Sequence, residues 1–175
     1  SSSEVAAKTD GDDTVFSTAP NQCLLARSGR DTVFLQSAGP SALLLGPGDD
    51  TAMDGPGDDL IWGGLGNDTI NGHGGTNLFF GGLGDDTIYA ANGTNTVIPG
   101  PGNDTVALGN GDDTVYVFDA CEVGAGETLD GGGGNNTLVT PCRRGVTRSS
   151  TGARSGWRSR RSSTPPGCRV AGRVK

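Results

Sequence analysis

The chain has 175 residues, a length that suits one domain, yet only 33% of them are hydrophobic and 5% aromatic, too few for an ordinary globular core. Its 32 glycines exclude long helices and point to repeated tight turns. The net charge of −7 is unevenly spread: residues 1–142 hold all 20 acids and 3 basic residues, and residues 143–175 hold the other 10 basic residues and no acid.

The opening SSSEVAAKTD lacks the apolar core of a signal peptide, and no apolar run long enough for a transmembrane helix follows. Residues 1–45 show an irregular periodicity. Asp13-Thr-Val-Phe and Asp31-Thr-Val-Phe stand 18 residues apart, and Cys23-Leu-Leu and Ala42-Leu-Leu read as the intervening strands, with one residue inserted near Pro40.

From residue 46 to 117 the chain is strictly periodic. Eight nine-residue units follow without insertion: GPGDDTAMD, GPGDDLIWG, GLGNDTING, HGGTNLFFG, GLGDDTIYA, ANGTNTVIP, GPGNDTVAL and GNGDDTVYV. Glycine holds the third place of every unit and an apolar residue the seventh. Each unit divides into a glycine-rich turn and an extended triplet whose middle residue is β-branched or aromatic in most copies, the composition of a short strand. One unit reverses the chain, so two make a full coil, and parallel strands stack residues eighteen apart. Strand alternation then places Ala52, Ile70, Ile88 and Val106 inside from one sheet and Ile61, Phe79, Val97 and Val115 from the other. The expected fold is all-β, a right-handed parallel β-roll.

The same register sorts the acidic positions. One edge stacks Asp50, Asp68, Asp86 and Asp104, which form three all-acidic gaps between coils. The other edge stacks Asp59, Asn77, Asn95 and Asp113. Stacked carboxylates and glycine-loop carbonyls suit Ca²⁺, which takes six to eight oxygen ligands. Zn²⁺ is a poor candidate, because there is one histidine, His73, and the cysteines are scattered.

These units resemble the GGxGxDxUx nonapeptide of the RTX, or hemolysin-type calcium-binding, repeat family. The resemblance implies a parallel β-roll with several Ca²⁺ ions held between consecutive turns. Its ligands here would be Asp50, Asp59, Asp68, Asp86, Asp104 and Asp113, with carbonyls near Gly46, Gly48, Gly64, Gly66, Gly82, Gly84, Gly100 and Gly102. His73 and Ala91 stand where other units begin with glycine, a departure that weakens the Asn77/Asn95 edge as a site. There the asparagines are expected to stack as an amide ladder in place of an ion. The competing reading is an outward Thr-Asn array of the kind found in ice-binding adhesin segments.

Residues 118–142 read as an irregular closing coil or cap, with Glu127-Thr-Leu and Asn136-Thr-Leu resuming the nine-residue beat. The basic tail, residues 143–175, has no periodicity and is expected to be disordered. Docking on the acidic roll, nucleic acid or anionic lipid would suit its charge, though nucleic acid is not expected as the chain's partner; a shifted reading frame would give the same composition. Cys23, Cys121, Cys142 and Cys168 are compatible with an oxidising compartment, either as disulfides or as thiols, and Cys121 with Cys142 is the favoured pair.

On the outer face of one sheet Trp62, Phe80, Ile98 and Tyr116, with Leu60 and Leu78 beside them, form an apolar stripe. It is either covered by other parts of the chain or meets a protein or carbohydrate. With one histidine and no G-x-S-x-G, no catalytic constellation is legible, and the chain is read as a non-enzyme. The functional expectation is an extracellular, secreted calcium-binding module that folds on binding Ca²⁺. The alternative is an accessory C-terminal module of a secreted hydrolase or polysaccharide-modifying enzyme.

Overall fold

The triplets that alternate in the sequence alternate in space. In the computed structural model, which describes residues 5–7, 10–117, 128–139, 156–159 and 173–174, each triplet points its middle residue inward and the two beside it outward. Seventeen strands are present among the described residues. They are β1 (Val5–Ala7), β2 (Thr14–Ser17), β3 (Cys23–Leu25), β4 (Thr32–Leu35), β5 (Ala42–Pro47) and β6 (Thr51–Met53). Then follow β7 (Leu60–Leu65), β8 (Thr69–Asn71), β9 (Leu78–Leu83), β10 (Thr87–Ala90), β11 (Thr96–Ile98) and β12 (Thr105–Leu108). The last are β13 (Thr114–Tyr116), β14 (Thr128–Asp130), β15 (Asn135–Val139), β16 (Gly156–Ser159) and β17 (Arg173–Val174).

From β1 to β15 consecutive strands alternate between two sheets, the topology of a parallel β-solenoid. The first sheet runs β1-β3-β5-β7-β9-β11-β13-β15-β16 and the second β17-β14-β12-β10-β8-β6-β4-β2, with every pairing parallel. In the periodic region partners are eighteen apart, as in Ile61 with Phe79 and Ile70 with Ile88. The inserted residue near Pro40 lengthens one coil, so Cys23 pairs with Ala42 and Thr32 with Thr51. After β13 the step widens, and Val115 pairs with Leu138. Residues 118–127 between them, and Cys121, Cys142 and Cys168, lie outside the described residues. Cys23 is a free thiol. Of the tail expected to be disordered, the described residues are β16, which adds beside β15, and β17, which adds beside β14.

The core is one side chain thick. Ala52, Ile70, Ile88 and Val106 face Ile61, Phe79, Val97 and Val115, and none of the eight is more than 1% exposed. Burying an aliphatic or phenyl side chain contributes about 1.5–3 kcal/mol, so these columns hold the sheets together. Phe79 is large for its column, and the second sheet accommodates it by lacking a side chain opposite. A Cβ on Gly72 would lie 2.9 Å from Cζ of Phe79.

The two edges turn differently. On the Asp68/Asp86 edge the first and third places of the unit both require positive φ, as at Gly82 (+128°) and Gly84 (+134°). On the other edge the first place never does so and the third does at Gly75 (+97°), Gly93 (+131°) and Gly111 (+148°), though not at Gly57. His73 and Ala91 therefore sit in ordinary backbone, since among the described residues only Asn21 and Arg27 are non-glycines with positive φ. Their departure from glycine reflects a different turn on that edge.

Gly84→Ala is expected to destabilise the roll by about 2 kcal/mol or more, because its Cβ would meet the Gly66 carbonyl oxygen as well as the wrong half of φ space. Ala91→Gly should change stability by less than about 1 kcal/mol. Urea unfolding followed by far-UV circular dichroism in millimolar Ca²⁺ checks both, and equal effects would contradict the two-turn description.

Candidate metal centre

The acidic edge is built by hydrogen bonds that climb from coil to coil. The Asp50 N–H donates to Asp68 Oδ1 (2.9 Å), that of Asp68 to Asp86 Oδ1 (2.8 Å), and that of Asp86 to Asp104 Oδ1 (2.8 Å). The column extends below the periodic region. The Asp31 N–H donates to Asp50 Oδ1 (2.7 Å) and that of Asp13 to Asp31 Oδ1 (2.8 Å). Asp31 is fully buried and joins the four aspartates read from the sequence. Its signal was the repeated Asp-Thr-Val-Phe, obscured by the extra residue that makes its step to Asp50 nineteen.

One oxygen of each carboxylate is thus used, and the other is not. Oδ2 of Asp31, Asp50, Asp68, Asp86 and Asp104 is buried without a hydrogen-bond partner. Burial pushes Asp68 and Asp86 up to about 7 and Asp104 up to about 6, against the backbone N–H of the preceding aspartate, which lowers each. Neighbouring carboxylates add to the rise, and Asp50 moves up for the same reasons. A carboxylate that is dry, like-charged with its neighbours and half-partnered calls for a proton or a cation.

The loops supply further oxygens. A Cβ on Gly63 would collide with both Asp68 Oδ2 and the Gly81 carbonyl; one on Gly81 would collide with Asp86 Oδ2 and the Pro99 carbonyl. The unpartnered oxygens therefore gather with carbonyls in cradles that glycine leaves open. The carbonyls of Gly46, Gly48, Gly64, Gly66, Gly82 and Gly84 each face the matching glycine of the next coil, among them Gly100 and Gly102. No three acidic, histidine or cysteine side chains converge among the described residues. A cation here would draw on paired carboxylates and carbonyls, the hard oxygen set that suits Ca²⁺.

The middle of the opposite edge solves the same problem without charge. The Asp59 N–H donates to Asn77 Oδ1 (2.8 Å), that of Asn77 to Asn95 Oδ1 (3.3 Å), and that of Asn95 to Asp113 Oδ1 (2.7 Å). Asn136 closes the column above Asp113 (2.9 Å). The expected amide-to-amide ladder is not formed, because the amide oxygen is taken by the backbone. Asn77 Nδ2 instead donates to the Gly74 carbonyl (3.1 Å), and Asn95 Nδ2 to Ala91 O (3.4 Å) and Asp113 Oδ1 (3.1 Å). A donor thus stands where aspartate has its unpartnered oxygen. Asn77 and Asn95 are 3% and 1% exposed, so no outward Thr-Asn array exists to meet ice.

Asp59 and Asp113 retain unpartnered Oδ2 atoms on this edge, and Asp113 is shifted upward by burial. Asp54, missed in the sequence, is buried at the corner of turn 55–59. Burial first, then the facing Asp59 carboxyl, push it up to about 9.

The outward stripe is present, and Trp62 stacks on Phe80 with centroids 5.1 Å apart. With Ile98 the pair lines a groove together with Pro47, Leu65 and Leu83, the last residues of β5, β7 and β9, and with Pro101, residues of the glycine-rich segments that the triplet pattern alone did not bring into the stripe.

The family model of the RTX calcium-binding nonapeptide repeat matches in four copies, over residues 45–79, 71–106, 100–117 and 124–140. No curated protein and no solved structure matches the chain.

The carboxylate shifts fix the sign of a pH dependence. Asp68, Asp86 and Asp104 rise from 3.8 to about 7, 7 and 6 on folding, so the folded state keeps protons that the unfolded chain releases. Their favourable contribution is complete below about pH 4 and is lost as pH rises toward 7. In chelator, the far-UV strand signal should fall as pH rises from 4.5 to 7.5, and Asp86→Asn should flatten that slope. A strand signal that rises with pH over this window would contradict it.

Proposed function

Because the chain belongs to the RTX calcium-binding nonapeptide repeat family, whose model covers half of it, we propose that it is a secreted structural module that takes up several Ca²⁺ ions along its edges and folds as it does so. The observation that carries this reading is the column of buried carboxylates, each with one oxygen on the backbone and the other unpartnered.

Asp50, Asp68, Asp86 and Asp104, now with Asp31 beneath them, are the proposed carboxylate ligands of the acidic edge. The carbonyls of Gly46, Gly48, Gly64, Gly66, Gly82, Gly84, Gly100 and Gly102 complete the set. Asp59 and Asp113 serve the other edge. Bound calcium supplies positive charge where carboxylates are stacked with none of their own. The chain's contribution is to fix those carboxylates in register and to keep water from them.

Folding on binding follows from the energetics. A one-layer core under a body with 20 acids and 3 basic residues is weakly driven to collapse, so ion binding becomes folding free energy. Extracellular calcium modules bind in the range of roughly 10⁻⁴ to 10⁻³ M, which keeps such a chain open at low calcium and closed outside the cell. No reaction chemistry is assigned to the edges, because carboxylates held ionised by a cation are poor general acids. The stacked Trp62 and Phe80 support a contact role for the outer face of the first sheet.

A calcium titration of the full chain by far-UV circular dichroism should show a strand signal rising over millimolar Ca²⁺. A spectrum already strand-rich in chelator and unmoved by calcium would end the folding claim. Asp86→Ala, which borders two acidic gaps, should lower the bound-ion count by two. Asn95→Ala should leave the count unchanged while costing about 1–2 kcal/mol in lost amide hydrogen bonds.

A further inference from the structure

Asp54 lies outside the repeat's acidic positions and has no counterpart in other coils. The strand register puts Leu35 one coil beneath it and Gly72, Ala90 and Leu108 successively above. In that apolar column a carboxylate is the exception, and it is 7% exposed. One oxygen accepts the Gly55 N–H at 2.8 Å, and Oδ2 has no partner. A lone buried carboxylate costs several kcal/mol in solvation, so this one requires a counterpart.

Its surroundings supply half of an answer. Asp59, 3% exposed, also has a buried, unpartnered Oδ2, and the two carboxyls face each other. Asp54 stands nine residues before Gly63, and Asp59 nine before Asp68. On the acidic edge the space beside Gly63 is the open cradle into which Asp68 Oδ2 points. At the equivalent place on the other edge, a side chain with its own unpartnered oxygen fills the cradle. The Ser41 Oγ, one coil beneath Asp59, is a third buried and unpartnered oxygen, and the Ser41 N–H donates to Asp59 Oδ1 at 2.6 Å. Above Asp59 the column carbonyl oxygen belongs to Asn77, an amide in place of a carboxylate.

We propose that Asp54 and Asp59 together hold one further Ca²⁺ ion at the corner of turn 55–59, Asp54 replacing the carboxylate that Asn77 does not provide. This rests on the edges being calcium sites, and it adds a ligand position that the repeat itself does not contain. It restores two carboxylates to a gap that the register alone leaves with one. The competing occupant is a proton shared between the two carboxyls, which needs no ion.

Calcium bound per chain, measured by equilibrium dialysis at pH 7.5 on the full chain, separates the two. Asp54→Leu imitates Leu35 and Leu108 in the same column, and Asp54→Asn preserves shape should leucine fail to fold. Each variant should bind one ion fewer than the wild type, whereas Asp86→Ala loses two. If both Asp54 variants bind as many ions as the wild type, the pair shares a proton and this site is refuted, with the calcium reading intact. A wild type that binds no calcium overturns both.

Discussion

Each column aspartate gives one carboxylate oxygen to the backbone N–H of the coil before it, and the rest of the structure follows from where that leaves the second oxygen. The first bond sets the register, since one residue's slip would turn the carboxylate to the wrong face and the core residue outward. It also buries the carboxylate, because the accepting oxygen must reach the turn beneath. The second oxygen is then held dry beside others of its kind. Glycine is needed in these turns for two separate reasons: positive φ at Gly82 and Gly84, and open space at Gly63 and Gly81, where a side chain would enter the oxygen-lined cradle.

The edges answer this constraint in two ways. Where every position is aspartate, unpartnered oxygens accumulate and the charge has to be met by protons or by an ion. Where Asn77 and Asn95 intervene, the amide makes the same backbone bond with its oxygen and turns its nitrogen to a loop carbonyl. The substitution keeps the geometry and removes the electrostatic demand. The roll therefore has one side whose integrity depends on solution conditions and another whose middle is self-sufficient.

Much of this was legible because repetition amplifies weak signals. One Gly-x-Gly-x-Asp says little, but eight units in register fixed the two sheets, the inward residues and the membership of both edges. What escaped were features without repetition. Asp54 occurs once, and in the sequence it is simply the last residue of a unit. Asp31 was displaced from the beat by the insertion near Pro40. The unlike turns at the two edges use the same residue type, so Gly55 and Gly64 look equivalent until their φ angles are known; the only hint was that His73 and Ala91 are tolerated on one side. The groove beside Trp62 was half visible, since Pro47, Leu65 and Leu83 come from strands that run on past the triplet into the glycine-rich segment of the unit.

The column hydrogen bonds also have a sense of direction. In every case the donor lies on the earlier coil and the acceptor on the later one, from Asp13 and Asp31 up to Asp113 and Asn136. A second ladder, one residue earlier in each unit, runs the opposite way, with the Asn67 N–H donating to Asp49 Oδ1, that of Thr76 to Asp58 Oδ1 and that of Asn103 to Asp85 Oδ1, so each turn draws on the coil above and on the coil below. At the top of the second column the Asn136 side-chain nitrogen is satisfied by the Gly131 and Gly133 carbonyls of its own turn. An inner coil therefore has both ladders complete only when it is flanked on both sides, which makes the ends of the stack its weakest points.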